Sequence, residues 1–425
     1  MRSTVRFLFE MIRQYTSTMR QRQKSRSVLF DIGVPHAIIV LHPSSGGTHT
    51  MNPRERYLET LRFGRPDHVP LHPGGPREST LAMWHTQGLP EGANWVDTLA
   101  TEIGVPRTAF DGAIGLPDLT KMIPTFEEKV LEHRNGHYIV QDWMGAITEI
   151  SDQFDYTYIR SAKDFVTRHW HSFPVKNRAD WEEKIKWRYD PADPKRFSPE
   201  FWAQAEAAQA SDKAVAISIN GPFWQMREWV GMEPLCEMMV DDPQLVHDMA
   251  KTWTDFTVAV LETLLRRVRL DVLRTSEDMA YKAHSMISPR MTRRFLQPTY
   301  FAWRDILKSY GDAIIDMDSD GYIPHLIPIW IESGITVCDP IEVAAGNDII
   351  AFREQFGKRM AYTGGVDKRA MAVGSQIMRD EVLRVAPLIA DGGFIPSCDH
   401  GVPPDISWPN FIEYTRLLAQ LEGWL

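Results

Sequence analysis

Cysteine is scarce: the 425-residue chain has three, Cys236, Cys338 and Cys398, far apart and odd in number. They build neither a disulfide framework nor a CxxC metal knuckle, which fits a reducing compartment and a cytoplasmic protein. Long apolar runs are also missing, since none approaches the ~20 residues that a membrane span needs. Positive charge is in deficit. Lys and Arg total 47 against 56 Asp and Glu, a formal charge of −9, and this argues against nucleic acid as a partner because phosphate binding needs a basic surface. What remains is ordinary for a globular enzyme: 43% hydrophobic and 24% charged residues. Trp (14) and Met (19) are plentiful and suit a wall around a flat or apolar ligand, although core packing is the simpler role for any single Trp.

Acid is nearly absent from the first stretch. Arg2, Arg6, Arg13, Arg20, Arg22, Lys24 and Arg26 are interleaved with apolar residues, and Glu10 is the only acid before Asp31. Residues 1–50 therefore read as a basic extension outside the folded domain. They are like a transit peptide or a surface amphipathic segment, or they precede a true start at Met51. A single domain is expected over 51–425. It opens with Asn52-Pro53-Arg54-Glu55, a helix start with Asn as cap and Pro at the first position, running to about Phe63 and stopping at Gly64.

The most informative stretch is Gly311 to Pro404. Short apolar runs there end in acids or a histidine and are followed by helical patterns: Ile314-Ile315 before Asp316-Met317-Asp318-Ser319-Asp320, Val337-Cys338 before Asp339, Ala361-Tyr362 before Gly364-Gly365-Val366-Asp367, and Phe394-Ile395 before Asp399-His400-Gly401. Strands near residues 69, 215 and 272 extend the series to seven, and one more in the irregular region would make eight. Repeated βα units force parallel strands with right-handed crossovers, so the expected fold is an α/β (β/α)8 TIM barrel with its active site at the strand C-terminal ends. Residues 95–200 are expected to form an irregular insertion. Within it Tyr138-Ile139-Val140 and Ala146–Ile150 read as a hairpin, and Asn177 caps a helix. Further on, Asp242-Pro243 opens a helix with Leu245, Met249, Trp253, Phe256 and Val260 on one face.

The stretch Asn52–Arg56 through Gly64-Arg65-Pro66-Asp67-His68-Val69-Pro70, the run Gly392-Gly393-Phe394-Ile395-Pro396 with Asp399-His400-Gly401-Val402-Pro403-Pro404, and the segments Glu277–Ala280 and Ala345–Asp348 resemble the uroporphyrinogen decarboxylase family. That family includes the decarboxylase and corrinoid-linked methyltransferases. The decarboxylase carries Met-Arg-Gln-Ala-Gly-Arg after its first strand, where this chain has only Arg77, and its tyrosine after Gly-Ala-Pro-Trp has no counterpart between Gln225 and Trp229. The zinc methyltransferases carry His-x-Cys-Gly and a late Cys-Gly. The matching positions here read Asp318-Ser319-Asp320-Gly321 and His400-Gly401. The thiol–zinc site is lost as such, and two carboxylates and an imidazole take its place.

The resemblance thus implies methyl transfer from a small methylated compound, such as a methoxy-aromatic, to a corrinoid carried by a partner protein. The alternatives are cofactor-free uroporphyrinogen decarboxylation and a non-catalytic barrel that binds a partner. Glu277, Asp318 and His400 are expected to be catalytic. Arg77, Phe223, Trp224, Trp229 and Asp339 are expected to bind substrate. Asp318, Asp320 and His400 are expected to hold a divalent metal, zinc first, through oxygen and nitrogen. For any one Asp, capping the next helix is as good a reading as chemistry. Acids at four successive strand ends are costly to crowd together without a task. A small-molecule substrate and a homodimer complete the expectations.

Overall fold

The computed structural model describes residues 50–157 and 168–425. The expected basic extension, residues 1–50, lies outside the described residues except for Thr50. Strands in chain order are β1 (Ala113–Gly115), β2 (Lys129–Arg134), β3 (His137–Gln141), β4 (Ile147–Ser151), β5 (Arg168–Ser172), β6 (Ala214–Asn220), β7 (Val272–Ser276), β8 (Ile314–Asp318), β9 (Val337–Ile341), β10 (Ala361–Val366) and β11 (Phe394–Cys398). Seven of them form one parallel sheet in the order β1-β6-β7-β8-β9-β10-β11, and β2–β5 form a separate antiparallel sheet. The neighbours follow chain order because each crossover helix returns the chain to the same edge, as a right-handed βα series does.

The strand expected near residue 69 is not a ladder strand. Pro70, Pro73 and Pro76 have no N–H, so this segment cannot sustain a regular ladder. It nonetheless reaches both edges of the sheet. The Leu71 N–H donates to Ala109 just before β1, the Cys398 N–H of β11 donates to Pro73, and Pro76 forms a parallel bridge with Val402. The additional parallel strand expected in the irregular region is β1, paired to β6 through Ala113 and Ala214.

Caps place the helices largely as read. Asn52 and Glu55 form a reciprocal capping box at the helix Pro53–Leu61. Asn177 and Asp242 accept backbone N–H groups at their helix starts, and the face from Leu245 to Val260 is buried. After β6, two helices precede the one that Asp242-Pro243 opens, because Gly231, at φ +91, separates Pro222–Val230 from Met232–Asp241. The hairpin β3–β4 turns at Asp142–Gly145, where the Asp142 N–H donates to Ala146 and the Gly145 N–H to Asp142. Between the helices, Trp181, Tyr189, Trp229 and Trp253 pack as tilted and edge-on rings.

Candidate active site

Register brings the polar residues together. In the parallel ladder Arg274 of β7 pairs with Asp316 of β8, Ser276 with Asp318, and Asp318 in turn with Asp339 of β9. Side chains alternate along a strand, so Arg274 and Ser276 share one face of β7, Asp316 and Asp318 share one face of β8, and Asp278 and Asp320 follow just beyond the two strand ends. Asp278, Asp318 and Asp320 each offer an oxygen, and these lie within 4.8 Å of one another.

Local backbone fixes this convergence. The Asp320 N–H donates to Asp278 Oδ1 at 3.1 Å. Asp278 holds φ +38, a conformation unusual for a residue with a side chain and one that concentrates at functional sites. Gly321 follows at φ +84, and a Cβ there would lie 2.5 Å from the Ala280 carbonyl carbon, so the β7 and β8 ends touch at backbone level. A cleft of about 300 Å³ opens beside Asp320, lined by Ala280, Tyr281, Lys282, Gly321, Glu342, Ala344 and Ala345.

Burial dominates the electrostatics. It pushes the Asp318 carboxyl up to about 8, with Asp339 and Asp278 adding to the effect, while the Ser276 hydroxyl, donating to Oδ2 at 2.8 Å, opposes it. Burial and then Asp316 carry Asp339 up to about 7. Burial and then Asp320 raise Asp278. Crowded carboxylates in such a place hold either a shared proton or a cation.

His400 stands beside the cluster. Its Nε2 lies 3.0 Å from Asp320 Oδ2, and this hydrogen bond raises the imidazole above its ordinary value. Its Nδ1 faces the Gly401 N–H at 2.7 Å and Arg77 Nη2 at 3.0 Å. Both of those groups only donate, so the network assigns the neutral ring's lone pair to Nδ1 and its proton to Nε2. Ligation through Nε2 would move the proton to Nδ1, against two donors. Of the expected ligand set, Asp318 and Asp320 converge with Asp278, while His400 stands beside them with its Nε2 on Asp320. An all-carboxylate set suits a hard divalent cation such as magnesium or manganese, whereas zinc prefers nitrogen and sulfur. The residues present thus fit a divalent cation, with oxygen ligands in place of the nitrogen and sulfur that zinc favours.

Other expected site residues divide. Asp339 is half-buried beside Asp318, Arg77 supports His400, and Trp224 is half-buried under the Arg227 guanidinium, 4.8 Å from the ring centroid. Glu277 is 0% exposed. One oxygen accepts the Phe223 and Trp224 N–H groups at 2.9 and 3.0 Å, and the other accepts the Tyr300 hydroxyl. Glu277, expected to be catalytic, thus stands inside the wall and caps the helix Pro222–Val230 with both oxygens engaged. Phe223 and Trp229 are also fully buried, with the Trp229 indole donating to the Tyr189 hydroxyl at 2.9 Å, so they belong to the core rather than to a pocket. Sequence reasoning passed over Asp278 although the signal was present. If Arg274 and Ser276 face inward, period two puts Asp278 inward and Glu277 outward.

A family model described as uroporphyrinogen decarboxylase (URO-D) matches residues 175–418. No curated protein sequence matches the chain. Among solved structures, a methyltransferase from Methanosarcina mazei superposes with a TM-score of 0.54 at 15% identity, over 87% of this chain and 98% of that one. A B12-independent methionine synthase from Shewanella sp. W3-18-1 gives a TM-score of 0.31 at 10% identity, over 52% of this chain and 65% of that one. At such identities the likeness concerns the fold alone.

Proposed function

Because the chain belongs to the uroporphyrinogen decarboxylase family, we propose that it is an enzyme that transfers a methyl group from a small methylated compound, a methyl ether or methylated amine, to a corrinoid carried by a partner protein. The observation that supports this reading is the convergence of Asp278, Asp318 and Asp320 at the ends of β7 and β8. An acid-lined mouth admits a neutral or cationic donor and repels a polycarboxylate. Arg77, the cation that resembles the decarboxylase's substrate-binding arginines, is engaged with His400. Both features speak against porphyrinogen decarboxylation.

In the proposed reaction the corrinoid supplies the nucleophile. The methyl–oxygen bond of an ether breaks with its electron pair staying on oxygen, and the Asp318 carboxyl delivers a proton to that oxygen. Asp278 and the His400–Asp320 pair hold the reacting end in place. A divalent cation, where one is held by Asp278, Asp318 and Asp320, would polarise that oxygen as a Lewis acid in place of the Asp318 proton. On this reading the parallel sheet closes as a (β/α)8 barrel with residues 69–76 in the eighth place. Residues 51–425 form the working domain, and the activity belongs to the cytoplasm.

The test is methylation of a cobalt(I) corrinoid by a panel of methyl ethers, amines and thioethers. Consumption of cobalt(I) with one donor class, cut about 10²- to 10⁴-fold in Asp318→Asn, is the expected result. No methylation from any donor, with divalent cation supplied, rejects the reading.

A further inference from the structure

The interior of a (β/α)8 barrel is ordinarily filled by layers of apolar side chains. Beneath the acid cluster this interior is polar and open. Arg274 lies one strand repeat below Ser276, yet 42% of its side chain is exposed. His72 is exposed as well, although protein surrounds it and Arg274 acts on its ring. Exposed side chains on an inward face line a water-accessible bore. Tyr57, from the helix Pro53–Leu61, is a hydrogen-bond partner of Arg274.

Two observations bear on what such a bore could take. The ion pair from Arg274 to Asp316 Oδ2 spans 3.9 Å, too long for a hydrogen bond. Asp316 is 6% exposed, and its Oδ1 has no hydrogen-bond partner among the described residues. A buried carboxylate oxygen left unsatisfied is costly, so such atoms call for an explanation. A guanidinium fork matches a carboxylate, whereas Asp316 and Asp339 match a cation. A ligand carrying one group of each sign satisfies both.

We infer that the bore binds a small zwitterion, its carboxylate on Arg274 and its cationic nitrogen facing Asp316 and Asp339. Resting on the methyl-transfer reading, the substrate class is then a methylated amine that bears a carboxylate. One strand repeat, about 6.6 Å, separates the Arg274 level from that of Ser276 and Asp318. An N-methyl group above the anchored carboxylate therefore points toward the mouth. Transfer breaks the methyl–nitrogen bond, the electron pair stays on nitrogen, and a neutral amine leaves. The new bond to carbon uses the electron pair of the nucleophile that the corrinoid supplies, and no oxidant is needed.

Binding without any corrinoid separates this inference from the proposed activity. Calorimetric titration of the full chain uses glycine betaine, tetramethylammonium and acetate, which carry both charges, the positive one and the negative one. Betaine is expected to bind at least about 10-fold tighter than either single-charge probe. Arg274→Gln is expected to weaken betaine about 100-fold and leave tetramethylammonium unchanged, as removal of one partner from a close charge contact does. Asp316→Asn is expected to weaken both, and Arg274→Lys to restore part of the loss. The ranking on wild-type protein needs no variant, so it stands even if Arg274→Gln fails to fold. Equal affinity for betaine and acetate, betaine binding unchanged in folded Arg274→Gln, or no binding of any probe would overturn the inference. Methyl transfer from an uncharged ether, with no betaine binding, would overturn it while leaving the proposed activity standing.

Discussion

Glu277 and Asp278 are adjacent in the chain just beyond β7, yet their side chains have different surroundings. Glu277 sits in the wall, and its oxygens are occupied by two backbone N–H groups and a tyrosine hydroxyl. Asp278 faces the bore and shares a 4.8 Å cluster with Asp318 and Asp320. A second pair repeats the contrast. Asp399 is fully buried and accepts the Val343 and Lys368 N–H groups, whereas Asp320 is 36% exposed and receives only the side chain of His400 and its neighbours at the mouth. All four acids lie at strand ends. The strand end raises the chance of a function, but the strand face decides between a structural cap and a working group. Wall acids tie the elements around the parallel sheet together, while the clustered acids keep hydrogen-bonding capacity for something that is not protein.

This contrast predicts different failures on the two faces. The largest effect is expected from Asp318→Asn and Asp278→Asn, which should lower methyl transfer about 10²- to 10⁴-fold while leaving urea unfolding at pH 5 close to wild type. Next is Glu277→Ala. It strands two N–H groups at a buried helix start and should cost about 2–4 kcal/mol in denaturant unfolding, with Glu277→Gln costing less because the amide oxygen can still accept. An Ala variant as stable as wild type would break the distinction.

A smaller effect concerns pH. Asp318 is raised to about 8 from its usual 3.8, so the folded state binds more protons than the unfolded state between these values. The sign follows directly: this contribution is fully present below about pH 4 and is lost as pH rises through 8. Asp318 is partly solvated, so the contribution is discounted to about 1–3 kcal/mol. Asp318→Asn should therefore become more stable relative to wild type on going from pH 5 to pH 9, measured by urea unfolding at each pH. The smallest effect expected is on metal affinity in His400→Gln. Manganese binding by titration calorimetry should fall strongly in Asp278→Asn and remain within about threefold of wild type in His400→Gln, because the imidazole orients Asp320 rather than ligating.

Much of this was legible before any coordinates. Six of the seven parallel strands follow from apolar runs, five of which end in acids, and the caps Asn52, Asn177 and Asp242 follow from residue type. The segment near Val69 has strand-like apolar content, but its prolines deny it a ladder. β2 was invisible because every residue from Lys129 to Arg134 is exposed, so no apolar alternation marks it. Phe223 and Trp229 looked like pocket walls because they follow a strand end, yet their helix turns them into the core. Asp278 was legible through period two. The open bore at Arg274 and His72 was not, because whether a barrel interior is packed or hollow depends on side chains from all its strands together.

The most direct test compares neighbours. Methyl transfer is measured for Asp278→Asn and Glu277→Gln, with thermal melting of each on the same preparations. The account predicts that Asp278→Asn melts with wild type and loses about 100-fold or more in rate. Glu277→Gln is predicted to melt lower and keep its rate per folded molecule. A folded Glu277→Gln protein as inactive as a folded Asp278→Asn protein would contradict the account.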